Sequence, residues 1–329
     1  MSAAETSWIE STDALLLPRR ARHGLVLDLF AGCGGLALGF EAVGFRTVGY
    51  ELSKSAADSY EANLRGKCVV ERLRVGSELP AARVIIGGPP CQPFSNGGKR
   101  QASRDERDGF PAMLDAIARI EPELAIIENV NGLTTGDRRP YFLETIKALE
   151  DLDYEVEKLQ LNAAEFGVPQ RRRRVFIVAH RGGFEAPASS PQKMISARSA
   201  LSGLLDEDPP EARWLTRSQD AYIARYEAAS KCRRPRDLNL DEPARTLTCR
   251  NLAGATGDMQ RIRQTDGRRR RLEVREAARL QSFPDWFEFS GSITSQFEQI
   301  GNAVPPLLAR ALARSAKRYL AAGRARTVA

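Results

Sequence analysis

The sequence predicts an α/β protein: a doubly wound sheet with a second, smaller and irregular domain set into it. Three observations carry this. Short apolar runs alternate with helix-period segments over roughly the first 180 residues. The first run leads into a glycine-rich turn and then a helix, the opening of a nucleotide-type βαβ unit. From Arg181 to about Arg271 the periodicity fades into proline, glycine and basic residues, with Trp214, Tyr222 and Tyr226 interspersed.

Each element follows in order. Residues 13–24 read as a polar lead-in. Leu25-Val26-Leu27-Asp28-Leu29-Phe30 is a buried-strand pattern, Ala31-Gly32-Cys33-Gly34-Gly35 the turn, and Leu36 to Val43 a helix that stops at Gly44. Thr47 to Glu51 is a second strand with a carboxylate at its C-terminal end, and Ser53 to Leu64 a second helix. Arg83-Val84-Ile85-Ile86 is a strand that feeds Gly87-Gly88-Pro89-Pro90-Cys91-Gln92-Pro93-Phe94-Ser95, a loop stiffened by three prolines. Asn96 to Asp108 is too polar for a core and suits a mobile loop. Phe110 to Ile120 reads as a helix, Leu124 to Val130 as a strand, Tyr141 to Leu152 as a helix, and Tyr154 to Leu161 and Arg174 to Ala179 as strands. After the irregular stretch, Leu272 to Gln281 and Leu307 to Ala321 read as helices.

Composition narrows the function classes. At 329 residues and 42% hydrophobic, the chain can bury one large core or two moderate ones. Its apolar runs are too short to span a membrane, and the polar, acidic start lacks the pattern of a signal peptide. Five scattered cysteines, no C-x-x-C and two histidines argue against a disulfide framework or a structural metal, and for reduced thiols in a cytosol. The net charge of +7 is concentrated in Arg171–Arg174, Lys231–Arg236 and Arg268–Arg271, which raises the odds of phosphate contact.

The chemistry-bearing residues sit where an α/β sheet binds ligands, at the C-terminal ends of strands. The glycine turn lets backbone approach a ligand closely, and Glu51 can accept from both hydroxyls of a ribose; this alone does not choose between NAD and S-adenosylmethionine. Cys91 is a candidate nucleophile, and a free thiol needs cationic or dipolar neighbours to ionise. Glu128 closes its strand as a candidate acid. In Gln170-Arg171-Arg172-Arg173-Arg174, strand alternation puts Arg172 and Arg174 on one face and Arg171 and Arg173 on the other.

Taken together these strings resemble the cytosine-C5 DNA methyltransferases of bacterial restriction-modification systems, with motifs in the family's order from Leu25 to the last helix. The glycine turn resembles the family's first motif, the Cys91 loop its nucleophile loop, Glu128-Asn129-Val130 its acid motif, and Gln170 to Arg174 its Q-x-R-x-R pattern. Arg275 to Pro284 resembles the ninth motif and Gly301-Asn302-Ala303-Val304-Pro305 the tenth, with Ala303 where Ser is common. The resemblance implies a Rossmann-like catalytic domain over residues 1–182, a target-recognition domain over 183–271, and a return to the catalytic domain over 272–329.

It also implies roles. Cys91 adds to C6 of a flipped-out cytosine, Glu128 serves N3, Arg174 holds O2, and Arg172 lies near a phosphate beside the target. Phe30, Gly32, Cys33, Gly34, Gly35, Leu36, Glu51, Leu52, Pro90, Asn302, Ala303 and Val304 bind S-adenosyl-L-methionine, which leaves as S-adenosyl-L-homocysteine; no metal is expected. The family's usual adenine-contacting Asp has no clear counterpart in Val70 to Val75, where Glu71 is a substitute. Ser95, Gln170, Arg233, Arg234, Arg236, Thr246, Arg250 and Asn251 are the DNA-contacting candidates, since arginine reads guanine and asparagine adenine. Water near the Pro89-Pro90-Cys91 loop is the expected acceptor of the C5 proton. Double-stranded DNA is the expected partner of a monomeric, cytoplasmic, nucleoid-associated prokaryotic enzyme, with a restriction endonuclease acting on the same site without contact. Three alternatives stand beside this: a tRNA-directed enzyme of the same fold, a catalytically dead DNA-binding regulator, and a nicotinamide dehydrogenase.

Overall fold

The computed structural model describes residues 7–91, 108–189, 194–205, 208–210, 212–229, 236–254 and 258–328. Its first segments are α1 (Trp8–Leu16), β1 (Leu25–Leu29), α2 (Gly35–Glu41), β2 (Arg46–Glu51), α3 (Lys54–Asn63), β3 (Lys67–Val70) and β4 (Val84–Gly87). Next come α4 (Phe110–Ile120), β5 (Leu124–Val130), α5 (Arg139–Glu150), β6 (Glu155–Asn162), β7 (Gln170–Arg171) and β8 (Arg173–His180). The remainder holds α6 (Ala197–Ala200), α7 (Arg217–Ala229), β9 (Ala244–Arg245), β10 (Arg261–Arg263), β11 (Arg269–Arg271), α8 (Val274–Leu280), α9 (Ile293–Asn302) and α10 (Pro306–Val328).

A seven-stranded sheet in the order β3-β2-β1-β4-β5-β8-β6 forms the centre. β1 to β5 run parallel, and β8 lies antiparallel between β5 and β6. The inner strands read as continuous apolar runs because both of their faces are covered. Successive residues alternate sides. Val26, Ile86, Ile126 and Phe176 face Leu36 and Phe40 of α2 and Leu308 and Leu312 of α10. Leu27, Ile85, Ile127 and Ile177 face Met113 and Ile117 of α4 and Phe142 and Ile146 of α5.

Several elements depart from the sequence reading, among them the 13-residue helix α7 in the stretch read as irregular. The expected polar lead-in is in part a helix, α1, which Ser7 and Glu10 close with a reciprocal capping box. Its Trp8 donates its indole N–H to Gly167 O at 2.9 Å. β3 was not expected, because only Cys68 of its four residues is buried and an edge strand carries little apolar signal. α9 was not expected either, because its buried Gln299 and Gly301 break the apolar stripe.

Among the described residues of 194–271 the strands form only short two-stranded pairings. A third hydrophobic cluster joins Ala200, Leu238, Leu247 and Ile262 to Tyr60 of α3, Leu280 of α8 and Phe297 and Ile300 of α9. Ion pairs supply much of the remainder. Fully buried Arg261 pairs with Asp237 at 2.7 Å and Glu227 at 3.1 Å, Arg269 with Asp237 and Asp220 at 3.0 and 2.9 Å, and fully buried Arg270 with Glu276 at 2.7 Å. Arg268 pairs with Asp266 and stacks on Trp214 at 4.0 Å. The run Arg268–Arg271, expected to raise the odds of phosphate contact, is thus mostly engaged within the protein.

Candidate active site

The C-terminal ends of β1, β2, β4 and β5 open into one cavity of about 870 Å³. That volume accommodates a nucleoside-bearing ligand together with a base. One wall comes from the first βα turn. Phe30 leaves β1 with φ 62, a left-handed conformation rare for a bulky residue. Glu51 fixes the turn: its Oε2 accepts from Gly32 N at 2.8 Å, and its Oε1 accepts from Ser53 N at 2.7 Å. Phe30, Gly32, Gly35, Leu36, Glu51 and Leu52, all singled out in the sequence, line this wall.

Cys33 and Gly34 stand behind that wall rather than in it. Cys33 is buried, its Sγ 3.8 Å from Gln299 O. Gly34 has φ 87, and a Cβ there would meet the Tyr60 ring at 2.7 Å, so it serves turn geometry and packing. Sequence reasoning passed over Asp28, which lines the cavity with one buried carboxylate oxygen lacking a hydrogen-bond partner. Burial pushes its carboxyl well above the usual range, and Glu51 adds to the rise against a hydrogen bond from the Ala37 backbone.

The opposite wall carries the reactive groups. Cys91 is partly exposed at the end of the loop after β4. Two bonds hold that loop: Asn129 Nδ2 donates to Pro89 O, and Gly109 N donates to Pro90 O, both at 3.0 Å. Glu128 and Arg174 come together across the β5–β8 pairing, with Arg174 Nε 2.9 Å from Glu128 Oε1. Burial raises the Glu128 carboxyl above its ordinary value, and Arg174 and then Arg172 oppose the rise. Burial likewise raises the Cys91 thiol; Arg138 opposes this and Asp108 reinforces it. Asp108 accepts a short hydrogen bond from Tyr141, and both Asp108 and Arg138 line the cavity. Neither belongs to a motif, and each reads in the sequence as one more loop charge.

The Gln170–Arg174 alternation holds: Arg172 and Arg174 are buried while Arg171 and Arg173 are exposed. The expected roles of two residues in it do not. Arg172, expected near a phosphate, is 1% exposed and donates to Leu247 O at 2.6 Å and Gly301 O at 3.0 Å. Gln170, expected at DNA, is fully buried. It donates to Leu280 O at 3.1 Å and to Gln281, and accepts from Leu247 N at 2.9 Å.

The tenth-motif residues Asn302, Ala303 and Val304 complete the cavity beside Pro90, and Thr248 joins them. Asn251, expected to read a base, is 3% exposed and folds its amide inward. Its Oδ1 accepts from Thr248 N and its Nδ2 donates to Thr246 O, both at 2.9 Å. Thr246 donates to Arg171 O at 2.8 Å, and Arg250 stands exposed on the single π-helical turn Arg250–Gly254. Arg236 lies 3.5 Å from Asp258. Ser95, Arg233 and Arg234 fall outside the described residues. Glu71 and Leu73 line the cavity beyond Glu51, where an adenine contact was sought. No group of His, Cys, Asp and Glu that could hold a metal ion occurs among the described residues.

Comparison with known proteins places this geometry in a lineage. The family model for C-5 cytosine-specific DNA methylases matches residues 25–318. The type II methyltransferase M.AplI of Arthrospira platensis is 54% identical over 298 residues, covering 90% of this chain and 86% of the relative. The type II methyltransferase M.PspPI of a Psychrobacter species is 33% identical over 355 residues, covering 96% and 83%. Among solved structures, the S. pombe Dnmt2 methyltransferase superposes with a TM-score of 0.70 at 18% identity, covering 92% of this chain and 99% of that one.

Proposed function

The chain belongs to the C-5 cytosine-specific DNA methylase family, and from that premise we propose how its residues divide the work of a type II, S-adenosylmethionine-dependent DNA (cytosine-5)-methyltransferase. Duplex DNA is the substrate. Residues 1–182 and 272–329 bind the cofactor and carry the reaction, and residues 183–271 grip the target. The observation that carries this reading is the convergence of Cys91, Glu128 and Arg174 on the cavity that the glycine turn also lines.

The residues present fit the cofactor. Glu51 faces the ribose, Phe30, Gly32, Gly35 and Leu36 enclose the methionine end, and Pro90, Asn302, Ala303 and Val304 close the far side. The unpartnered oxygen of Asp28 suits the ligand's positive charge, which would draw its raised carboxyl back toward the ionised form. When bound, the cofactor supplies a methyl group activated as a sulfonium. No metal has a part in this scheme.

Cytosine C5 is too weak a nucleophile to take that methyl unaided. The Cys91 thiolate adds at C6, and the ring electrons move toward N3. Glu128, whose carboxyl burial raises above its ordinary value, donates a proton there, so that C5 becomes enamine-like and accepts the methyl group. Arg174 holds the Glu128 carboxyl in place and steadies O2 of the base. Water beside the Pro89-Pro90-Cys91 loop then removes the C5 proton, the C6–S bond breaks with its electron pair returning to sulfur, and the N3 proton returns to Glu128. The base is flipped out of the duplex to reach the cavity, at a cost of a few kcal/mol. Arg250 and Thr246, with Arg236, Arg233, Arg234 and Ser95, contact the DNA that remains stacked. The enzyme acts as a monomer in a prokaryotic cytoplasm, and a restriction endonuclease cuts the same site without touching it.

Bisulfite sequencing of DNA from cells expressing the protein tests the reading. A fixed cytosine within one short sequence context should be protected. Unprotected DNA, together with methyl transfer to tRNA in a parallel assay, would move the enzyme to the RNA-directed alternative.

A further inference from the structure

We infer that Arg172 is a positioning residue that makes the segment Leu247–Cys249 part of the cofactor site, so that binding the cofactor secures the loop expected to meet DNA. This rests on the cofactor reading given above.

The observations come from both sides of one buried joint. Arg172 is almost fully buried and reaches the cavity wall from behind. Its guanidinium joins Leu247 O, on the recognition side, to Gly301 O, on the tenth motif, at 2.6 and 3.0 Å. Such a charge is retained in an interior only when hydrogen-bonded, and bonds to charged donors are the strong ones. The backbones at this joint touch: a Cβ on Gly301 would collide with the backbone of Cys249 and Thr248. A second strap runs beside the first. Gln170 accepts from Leu247 N and donates to Gln281, and Gln281 donates to Ala303 O at 2.7 Å.

The joint opens onto the cavity. Thr248, Gly301, Asn302 and Ala303 share its wall, although Thr248 is far from the other three in sequence. Beyond Thr248 the chain passes at once into the turn that exposes Arg250, and Asn251 locks that turn back onto Thr248. A ligand pressed against Asn302 and Ala303 therefore bears on a wall that Arg172 fastens to the recognition segment. Reciprocity of linkage requires that ordering the segment on DNA favours the cofactor in return.

Hydrogen exchange with and without S-adenosyl-L-homocysteine tests this without any DNA. In the unsubstituted protein the product should slow amide exchange in peptides covering 30–36 and also 246–251, the latter by about fivefold or more. In Arg172→Met, protection of 30–36 should persist at saturating ligand while that of 246–251 is lost, with binding weakened about tenfold. Gln281→Met cuts only the second strap and serves if Arg172→Met fails to fold; it should reduce protection of 246–251 while sparing 30–36. Protection of 30–36 alone in the unsubstituted protein would overturn the inference and leave the cofactor reading intact. Protection of neither would overturn the cofactor reading itself.

Discussion

The sheet and the region 194–271 place their arginines differently. At the sheet's C-terminal edge, Arg174 is buried against one carboxylate, Glu128, and both line the cavity. In the region 194–271, Arg261, Arg269 and Arg270 pair with five carboxylates, Arg261 and Arg270 fully buried and Arg269 mostly so. The sheet spends apolar strands on stability and is free to spend charge on chemistry. The described residues of 194–271 have few apolar strands, and their charges hold the region together. A basic run is therefore weak evidence of a DNA contact where the fold needs the same arginines as struts, and Arg250 gains weight because it is exposed.

Substitutions can break this contrast. The largest effect should come at the sheet's edge, where Glu128→Gln keeps shape and removes the acid. Turnover should fall by about 10² to 10⁴, while the melting temperature stays near that of the unsubstituted protein. A variant that keeps near-normal turnover would remove Glu128 from the chemistry.

Arg261→Met inverts the pattern. It takes a fully buried cation from half-buried Glu227 and Asp237, leaving Asp237 to Arg269, and denaturant unfolding should show a loss of up to about 3–5 kcal/mol. An unchanged midpoint would mean that the pairs contribute little. Arg250→Ala should do the reverse again, with stability unaltered and affinity for the methylated site reduced by about 1–3 kcal/mol if it reads a base. A loss that is equal on unrelated DNA would make it a phosphate contact.

The pH response of Cys91 is a finer probe. Burial holds its thiol above the ordinary value, so the thiolate is scarce at neutral pH. Arg138 favours the thiolate and Asp108 disfavours it. The pH midpoint of alkylation by iodoacetamide should therefore move up in Arg138→Gln and down in Asp108→Asn. Shifts in the same direction would point to a general loosening of the loop rather than to charge.

The contrast also explains what could be read in advance. Val84–Ile86 and Leu124–Ile127 announce themselves because a strand segment buried on both faces has little room for polar residues. The glycine turn, the Cys91 loop and Glu128 stand at the ends of such strands, so their positions follow. Arg172, Gln170 and Asn251 have the right residue types for DNA, but burial decides their use, and burial depends on partners 75 or more residues away for the first two and on a turn closed by Thr248 for the third. Thr248 entered the cavity unannounced for the same reason: nothing in the segment Thr246–Cys249 records that Gly301 packs against it.

The central claim is that Cys91 bonds to C6 of the target base. Once bisulfite sequencing has given the site, duplex DNA carrying 5-fluorocytosine there tests it directly, because fluorine at C5 cannot leave as a proton and the adduct persists. The protein with S-adenosyl-L-methionine should form a denaturant-stable complex whose cross-linked peptide contains Cys91, and Cys91→Ser should form none while still binding DNA. A stable adduct in Cys91→Ser, or one mapped to another cysteine, would contradict the account.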